Sequence, residues 1–507
     1  MERVPETTLL LLGSIIVPLA SAPVVYVASR WLRQRTGYLS FATLLLPLAV
    51  FLIAAARGQG QPQGAYQELY TWAPIGFFGL RVDNLSFPIL FTISLLTALI
   101  SLFSIPYMHH KIGDEESSQR YGLYFALYNL YALGMLGTVL ATNLIQFYAF
   151  FEIMLVPSFF LIAEWGYGDK ERISLMYFIW THVGALVLLV GILLTGYLTG
   201  GVTDMALINP SSIPSTLRLI IVASMCFGFF VKMAQFGVHI WLPYAHAEAP
   251  TPVSALLSPA MIGIGGYAVV RIVMTIFPEA FLTLSAFFAA LAVVTMFYGA
   301  AMALVQDDIK RLLAYSSVSQ MGYILFGLAA SDSFGVAGSM FQYVSHGTAK
   351  GILFMVAGAI ILQAHGERSI GKLGGLASRM PITATAAFIG FLSIVGLPAT
   401  NGFLSEFVLF QGAFIRATNT PTIFRVSVAV LGVVATALTA GYSLWTLRRI
   451  FFGPTNEHTA TVTEAPLTVT IPLIVLSIVT ILLGIYPEPV LGGLFNAARA
   501  IPILGAI

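Results

Sequence analysis

The sequence predicts an all-α polytopic membrane protein with about fourteen transmembrane helices. Hydrophobic residues make up 58% of the 507 positions, and the mean hydropathy is +0.88. Only 9% of the residues are charged, against about 25% in soluble domains. Successive apolar stretches are also long enough to cross a bilayer, which takes about 20 residues each. This composition excludes a soluble globular protein, a disordered protein and a nucleic-acid-binding protein.

The first apolar stretch, 7–28, is followed directly by Arg30, Arg33 and Arg35 and by no small-residue cleavage site. We therefore expect a retained span rather than a signal peptide. The later stretches lie at 38–56, 84–106, 121–140, 142–164, 173–198, 216–239, 253–277, 280–304, 311–330, 334–363, 383–416, 423–447 and 466–487. The stretch 383–416 is longer than one helix requires and contains a Gly/Pro interruption.

The basic residues predict the orientation. Loops after odd-numbered spans hold 14 Lys and Arg residues, whereas the other side, with both termini, holds 8. Cytoplasmic loops carry the excess of Lys and Arg. The sequence therefore predicts a multi-pass protein of the plasma membrane with both termini outside.

Four charged residues fall inside apolar spans, namely Glu152, Lys232, Lys350 and Glu406, and His346 lies one helical turn before Lys350. A charge in the bilayer interior costs at least a few kcal/mol and usually marks an ion or proton path. Structural pairing or snorkelling to a headgroup is the alternative for any one of them. Because the charges balance and histidine titrates near neutral pH, we favour a proton path.

Two of these charges lie beside interruptions of their helices. Lys232 precedes Pro243, and Glu406 follows Gly396 and Pro398. Paired interrupted helices in the two halves of a membrane chain indicate inverted repeats around a central site, although simple proline kinks are the alternative. No phosphate-binding loop, dinucleotide fingerprint or metal-ligand cluster is evident, and the single cysteine, Cys226, excludes a cysteine-ligated cluster. The segment 306–311 is expected to be a solvated helix-capping loop.

Three blocks of sequence carry a resemblance to a known family. Residues 150–157 (FFEIMLVP) resemble the fifth-helix signature of the M-type (NuoM-type) antiporter-like subunit of respiratory complex I. Residues 231–233 and 239–250 resemble its seventh helix and following loop, and residues 308–319 resemble the start of its tenth helix. The similarity extends over most of the chain.

The resemblance implies fourteen helices with two inverted five-helix repeats and broken helices seven and twelve. We expect the first three helices in 1–120, the first repeat in 121–277, the second in 280–452 and the last helix in 453–507. It also implies roles in proton transfer: Glu152 would pair with Lys232, His239 would line the central path, His346 and Lys350 would relay protons, and Glu406 would exchange them near the outer side.

Three positions depart from the family pattern. Gly263 stands where the eighth helix often has a lysine, Tyr244 replaces a common aspartate, and Gln320 stands where a histidine often occurs. These departures resemble the archaeal branch, which includes deazaflavin-linked and ferredoxin-linked as well as NADH-linked dehydrogenases. The relay would then use water or Lys350 in place of the eighth-helix lysine.

The predicted function is proton translocation as a membrane subunit of a complex I-type dehydrogenase, an enzyme subunit without a redox centre of its own. A quinone or similar acceptor, iron–sulfur clusters and the donor cofactor would belong to partner subunits. The partners would be other antiporter-like and small membrane subunits, a peripheral electron-transfer arm and membrane lipid, without nucleic acid. The alternatives are an Mrp-type cation/proton antiporter subunit and the membrane subunit of an energy-converting hydrogenase.

Overall fold

The computed structural model describes residues 9–113, 118–455 and 457–502, and these form a bundle of helices with one small β-hairpin. The helices of the first half are α1 Leu10–Leu32, α2 Thr36–Gly58, α3 Ser86–Ile112, α4 Ser118–Leu140, α5 Leu144–Ile153, α6 Leu155–Trp165, α7 Lys170–Leu198, α8 Ser215–Lys232, α9 Trp241–Glu248, α10 Thr251–Leu256 and α11 Ile264–Ala268. The helices of the second half are α12 Pro278–Leu304, α13 Ile309–Ala330, α14 Ser333–Gln363, α15 Pro381–Val395, α16 Asn401–Asn419, α17 Ile423–Phe451, α18 Leu467–Ile485 and α19 Glu488–Arg499.

Twelve helical segments of the described residues are apolar and long enough to cross a membrane. One of them, Leu10–Gly58, contains both α1 and α2, and α15 with α16 forms a further, interrupted segment. Counted in this way, the described chain has the fourteen predicted segments. The fold class is confirmed, whereas the division into two repeats at the predicted boundaries stays a prediction.

The bundle has a buried centre and an apolar periphery. The most apolar stretches of Thr251–Met274, Ile309–Ala330 and Ser333–Gln363 are fully buried, whereas only 28% of the residues in those of Leu10–Gly58 and Ile423–Phe451 are buried. An apolar outer surface is stable against lipid, and polar side chains then collect in the interior. The central α13 and α14 are therefore where the intramembrane charges can be held.

Both predicted helix breaks are present, and both begin with the same backbone turn. Ala234 follows α8 with φ +51°, and Gly396 follows α15 with φ +73°. In each, the next amide donates five residues back, from Gln235 to Phe230 and from Leu397 to Leu392. This left-handed C-terminal turn is common with glycine and costs about 1–2 kcal/mol for other residues. The sequence signal is therefore clear at Gly396 and weak at Ala234.

A β-hairpin lies between α2 and α3, in the segment between the predicted spans 38–56 and 84–106. Its strands are β1 Tyr66–Trp72 and β2 Gly76–Val82, paired antiparallel with Tyr66 opposite Val82. Buried Glu68 accepts hydrogen bonds from the amides of Leu10, Leu11 and Leu12 at the start of α1. The hairpin therefore satisfies a helix N-terminus, whose free amides favour a carboxylate.

An ion pair fixes the end of the hairpin to the bundle. The guanidinium of Arg271 donates to both carboxylate oxygens of Asp83, at 2.9 and 2.6 Å, just before α3 begins. Burial raises the pKa of Asp83, but the charge and hydrogen bonds of Arg271 outweigh it and hold this pKa well below its ordinary value. Asp83 is therefore a carboxylate that stabilises the folded state.

The opposite end of the bundle carries the loops that the sequence predicts to be cytoplasmic. We call the loops 33–35, 166–169, 305–308 and 364–380 the basic face. Two contacts join three of these loops: the Ile370 amide donates to the Asp307 carbonyl at 2.7 Å, and the Arg368 guanidinium lies over the Tyr167 ring, 5.9 Å from its centroid. The basic face is thus a connected surface.

Candidate proton path

Glu152 lies in the last turn of α5, immediately before the turn at Met154 that separates α5 from α6. Its Oε2 contacts Nδ1 of His182 on α7 at 2.7 Å, and Oε1 has no hydrogen-bond partner among the described residues. The ring of His182 stacks on Phe178 with the centroids 5.7 Å apart. The carboxylate thus has one oxygen held by an imidazole and one oxygen available for another group.

Lys232 is the last residue of α8 and is 2% exposed. Its ammonium lies over the ring of Phe151, 4.6 Å from the centroid. The expected direct pair with Glu152 is not formed, since no described carboxylate lies within 4.0 Å of this ammonium. The carboxylate is bonded to His182 instead, although it remains near enough to act electrostatically on Lys232. A cation over an aromatic face is partly compensated for the water that it has lost.

His239 lies in the break between α8 and α9, as expected, and is 6% exposed. Its ring stacks on Phe236 at 5.8 Å and meets the edge of Tyr298 on α12 at 4.7 Å. Its Nδ1 has no hydrogen-bond partner in the described part of the chain. It therefore lies beside the broken helix with one nitrogen free to exchange a proton.

His346 and Lys350 lie one turn apart on α14, and both are buried. The Lys350 ammonium donates to the Leu313 carbonyl at 2.9 Å and to the Ser316 hydroxyl, both on α13. Nε2 of His346 has no partner among the described residues. Lys350 is thus held by neutral oxygens alone, and a neutral amine can occupy the same place.

A third buried histidine, after His239 and His346, belongs to the same cluster as His346 and Lys350. His246 on α9 is fully buried, stacks on Phe354 at 4.9 Å, and neither ring nitrogen has a described hydrogen-bond partner. The charge of Lys350 acts on it, and it acts in turn on His346. His246 lies in the block 239–250 that resembles the family, but it is not among the sequence-predicted proton-transfer residues. Its position joins α9 of the first broken helix to the relay on α14.

The eighth-helix position without a lysine is filled by an aromatic ring. A Cβ at Gly263 would overlap the ring of Tyr343, whose hydroxyl donates to the Ala260 carbonyl at 2.7 Å. Single π-helical turns at Leu257–Met261 and Val269–Met274 flank this position. Such turns are frequent at functional sites. The structure therefore has no room here for a side chain that could replace the lysine.

Glu406 lies in the second turn of α16, directly after the second break, and is 5% exposed. Its Oε1 has no partner among the described residues, and its Oε2 packs against Gly396 at the break. The hydroxyl of neighbouring Ser405 donates to Oε1 of Gln342 at 2.5 Å, and Gln342 in turn donates to Gln320. A chain of amides therefore joins α13, α14 and α16 beside Glu406.

A second polar chain links the break to Lys350's helix. The amide of Asn401 donates to the Thr348 hydroxyl at 3.0 Å, and its oxygen accepts from Ser345 and Ser393 at 3.2 and 3.0 Å. Asn401 is not among the sequence-predicted site residues. Buried hydrogen-bonded side chains of this kind are expensive unless fully satisfied, so they fix α16 against α14.

The segment 306–311 differs from its expected solvated state. Asp308 does cap α13, since its Oδ1 accepts from the amides of Lys310 and Arg311 at 2.9 and 3.0 Å. Lys310, however, is fully buried because the chain packs it beneath the loop 249–251, where its ammonium donates to the Ala249 carbonyl. His182 lies inside the predicted span 173–198, and Lys310 is fully buried. Neither is among the sequence-predicted site residues.

The chain is similar to known proteins over most of its length. Residues 141–432 match the family model described as NADH:quinone oxidoreductase/Mrp antiporter, and residues 72–122 match the complex I chain 5 N-terminus. F(420)H(2) dehydrogenase subunit M of Methanosarcina mazei is 34% identical, with 97% of this chain and 98% of the relative covered. NADH-quinone oxidoreductase subunit M of Rhodobacter capsulatus is 32% identical, with 93% and 92% covered.

Solved structures share the fold. A chain of the Mrp complex from Dietzia sp. superposes with a TM-score of 0.85 at 25% identity, covering 97% of this chain and 98% of that one. A chain of respiratory complex I from Thermus thermophilus superposes with a TM-score of 0.82 at 23% identity, covering 97% and 98%.

Proposed function

Because this chain belongs to the M-subunit family of antiporter-like proteins of complex I-type quinone oxidoreductases, we propose that its buried Glu, Lys and His side chains carry the translocated protons. The chain is a multi-pass, proton-translocating membrane subunit of such an oxidoreductase. It works within a multi-subunit assembly. Oxidation of the donor and reduction of the acceptor are assigned to partner subunits.

The proposed path begins at Glu152 and Lys232. Glu152 exchanges its proton with His182, and its free Oε1 is available to Lys232 when the side chain turns inward. Lys232 ends α8 at the break, where the backbone no longer continues as a helix. A small movement of this helix end would change the distance between the two charges, and the Coulomb energy of a buried pair depends steeply on that distance.

The middle of the path is proposed to be His246, His346 and Lys350. All three are buried. The two histidines have ring nitrogens without a described hydrogen-bond partner, and the lysine donates to neutral oxygens. Lys350 takes the place of the lysine missing at Gly263, because the ring of Tyr343 fills that position. His239, with a free Nδ1 beside the break, is proposed as a side branch toward α12.

Glu406 is proposed as the last exchange group. Gly396 leaves room for its carboxylate, and the Gln320–Gln342–Ser405 chain leads to it from α13. We propose that protons enter from the basic face and leave on the side of the hairpin, with both termini outside. The excess of Lys and Arg in the loops of the basic face supports this direction.

The proposal rests on the environment of Lys350. This lysine is fully buried, and among the described residues its ammonium has hydrogen-bond partners only in a backbone carbonyl and a hydroxyl. A structural ion pair would require a carboxylate at this place. The experiment is proton pumping by the purified whole complex in liposomes, with electron transfer measured in parallel under an uncoupler. Lys350→Met and Glu152→Gln should assemble, transfer electrons when uncoupled, and pump poorly.

The matched controls are Glu164→Gln on the exposed face of α6 and Lys170→Met at the exposed start of α7. Both should pump as the unmodified complex does. Normal pumping by assembled Lys350→Met and Glu152→Gln complexes would show that this path is wrong.

Subunit composition separates the proposal from an Mrp-type antiporter or a hydrogenase. Native electrophoresis of mildly solubilised membranes, followed by mass spectrometry, should find this chain with iron–sulfur and quinone-site subunits. A band of membrane subunits alone would favour an antiporter, and a hydrogenase large subunit would favour the second alternative.

A further inference from the structure

Lys310 has an environment that helix capping alone does not explain. It is fully buried at the start of α13, and its ammonium donates to the carbonyls of Ala249 and Ala247, the latter at 3.5 Å. These carbonyls end α9, the second part of the first broken helix. A lysine at a helix C-terminus stabilises it, so one role of Lys310 is to join the second half of the bundle to α9.

The Lys310 ammonium shares an aromatic ring with two other cations. The ring of Tyr167 lies 5.5 Å from the Lys310 ammonium, and Lys111 and Arg368 lie over the same ring at 3.8 and 5.9 Å. Asp308, the nearest acidic neighbour in sequence, is engaged by Arg368. The charged and titratable groups that face Lys310 are Lys111, Tyr167, His246, Glu248, Asp308 and Arg368.

No described carboxylate lies within ion-pair distance of the Lys310 ammonium, since Asp308 pairs with Arg368 and Glu248 forms no described ion pair. Arg368 and Lys111 repel its charge, and Asp308 and Glu248 attract it without forming an ion pair with it. A lysine that served only as a helix cap would be expected in surroundings that stabilise its positive charge. An ammonium that is buried, repelled and bonded to neutral oxygens can instead release its proton at modest cost.

Lys310 also lies between the protein surface and the relay. On its outer side, the Asp308 and Arg368 side chains are 26% and 21% exposed at the basic face. On its inner side, its charge acts on His246, whose two ring nitrogens have no described partner. His246 in turn acts on His346 next to Lys350. The cluster therefore spans from the exposed loop to the middle of the bundle.

We propose that Lys310 is a proton-transfer residue that connects the basic face to His246, giving the relay an entrance separate from Glu152 and Lys232. In one cycle the ammonium releases a proton toward the free imidazole nitrogen of His246, and the resulting amine takes a proton from water at the basic face. One proton is gained and one is lost, and no electron moves. The inference rests on the proposed relay through His346 and Lys350.

The decisive variant is Lys310→Arg in the whole complex. Arginine retains the positive charge, can donate to the Ala247 and Ala249 carbonyls and can lie on the Tyr167 ring, but it does not release a proton in proteins. The readouts are assembly, uncoupled electron transfer and proton pumping in liposomes. We expect assembly and uncoupled electron transfer to remain, and pumping to fall clearly below that of the unmodified complex, toward the level of Lys350→Met measured beside it.

Lys310→Met is the second variant, because a methionine of similar length removes both the cap and the proton. It should also lose pumping, with a lower thermal midpoint than Lys310→Arg. The control pair is Lys170→Arg and Lys170→Met, since Lys170 also donates to a carbonyl near a helix end, that of Glu164 at 2.6 Å, but at an exposed site. Both control variants should pump normally.

Normal pumping by Lys310→Arg beside a defective Lys350→Met would overturn this inference and leave the proposed function intact. Normal pumping by both would overturn the proposed function as well. Failure of both Lys310 variants to assemble would assign this lysine to folding and would equally overturn the inference.

Discussion

Oε2 of Glu152 on α5 contacts Nδ1 of His182 on α7 at 2.7 Å, in the middle of two membrane-spanning segments. The side chains are 20% and 37% exposed in the isolated chain. An exposed polar pair is unfavourable against lipid, so a neighbouring membrane subunit is expected to cover it. Glu152 therefore has two alternative partners, His182 at the surface of the subunit and Lys232 toward its centre.

The first prediction concerns this imidazole. His182→Leu should lower proton pumping while uncoupled electron transfer persists, because it leaves the Glu152 carboxylate without a described hydrogen-bond partner. A hydrogen bond to a charged group contributes about 1.5–3 kcal/mol. His182→Gln keeps a donor but no charge, and should behave like His182→Leu if the charge matters. His110→Leu, at the exposed end of α3, is the control. Normal pumping by both His182 variants would assign the contact to packing.

The second prediction concerns the amide chain beside Glu406. Gln342→Leu removes the bonds to Gln320 and Ser405 and leaves the buried side-chain oxygen of Gln320 without its described partner, at a cost of about 1–3 kcal/mol. Proton pumping should fall while uncoupled electron transfer persists. Gln363→Leu, at the far end of the same helix, should leave pumping unchanged. Equal pumping by both variants would remove the amide chain from the path.

The third prediction tests the space at Gly263. Gly263→Ala should lower the thermal midpoint of the complex, because the new methyl group overlaps the Tyr343 ring and overpacking costs about 1–3 kcal/mol. Gly13→Ala on α1 has open space around its Cβ and should be neutral or stabilising by up to about 1 kcal/mol. A midpoint for Gly263→Ala equal to that of the Gly13 variant would mean that Tyr343 moves aside freely.

The fourth prediction concerns the ion pair that holds the hairpin. Asp83→Asn leaves the guanidinium of Arg271 without its charge partner and should destabilise the protein by about 3 kcal/mol or more. Glu279→Gln removes an exposed pair with Arg218 and should cost at most about 1 kcal/mol. Thermal unfolding in detergent compares the two. A similar midpoint for both variants would mean that Asp83 does not anchor the hairpin.

The sign of the corresponding pH effect follows from the pKa. Since Arg271 holds the pKa of Asp83 below its ordinary value of about 3.9, the pair stabilises the fold fully above that value. This stabilisation is lost as the pH falls toward the folded pKa. The unmodified protein should therefore lose stability below about pH 4 more steeply than Asp83→Asn.

The membrane fold, the broken helices and five of the buried titratable groups were predictable from composition, span length and local motifs. Lipid leaves apolar spans and isolated charges as strong local signals, and Gly396 marks its break because a left-handed turn favours glycine. The break at Ala234 has no glycine at the left-handed position, so its prediction rests on the motif around Lys232.

Only the tertiary structure decided which groups meet. His182 takes the contact with Glu152 that the family resemblance assigns to Lys232. The ring of Tyr343 fills the space at Gly263. Packing beneath the loop 249–251 buries Lys310, which lies in a segment that the sequence predicts to be solvated. The physical reason is that local sequence determines the charge of a side chain and its position on its own helix. Its partners and the water that it loses depend on helices distant in sequence, and these set where a proton can be held.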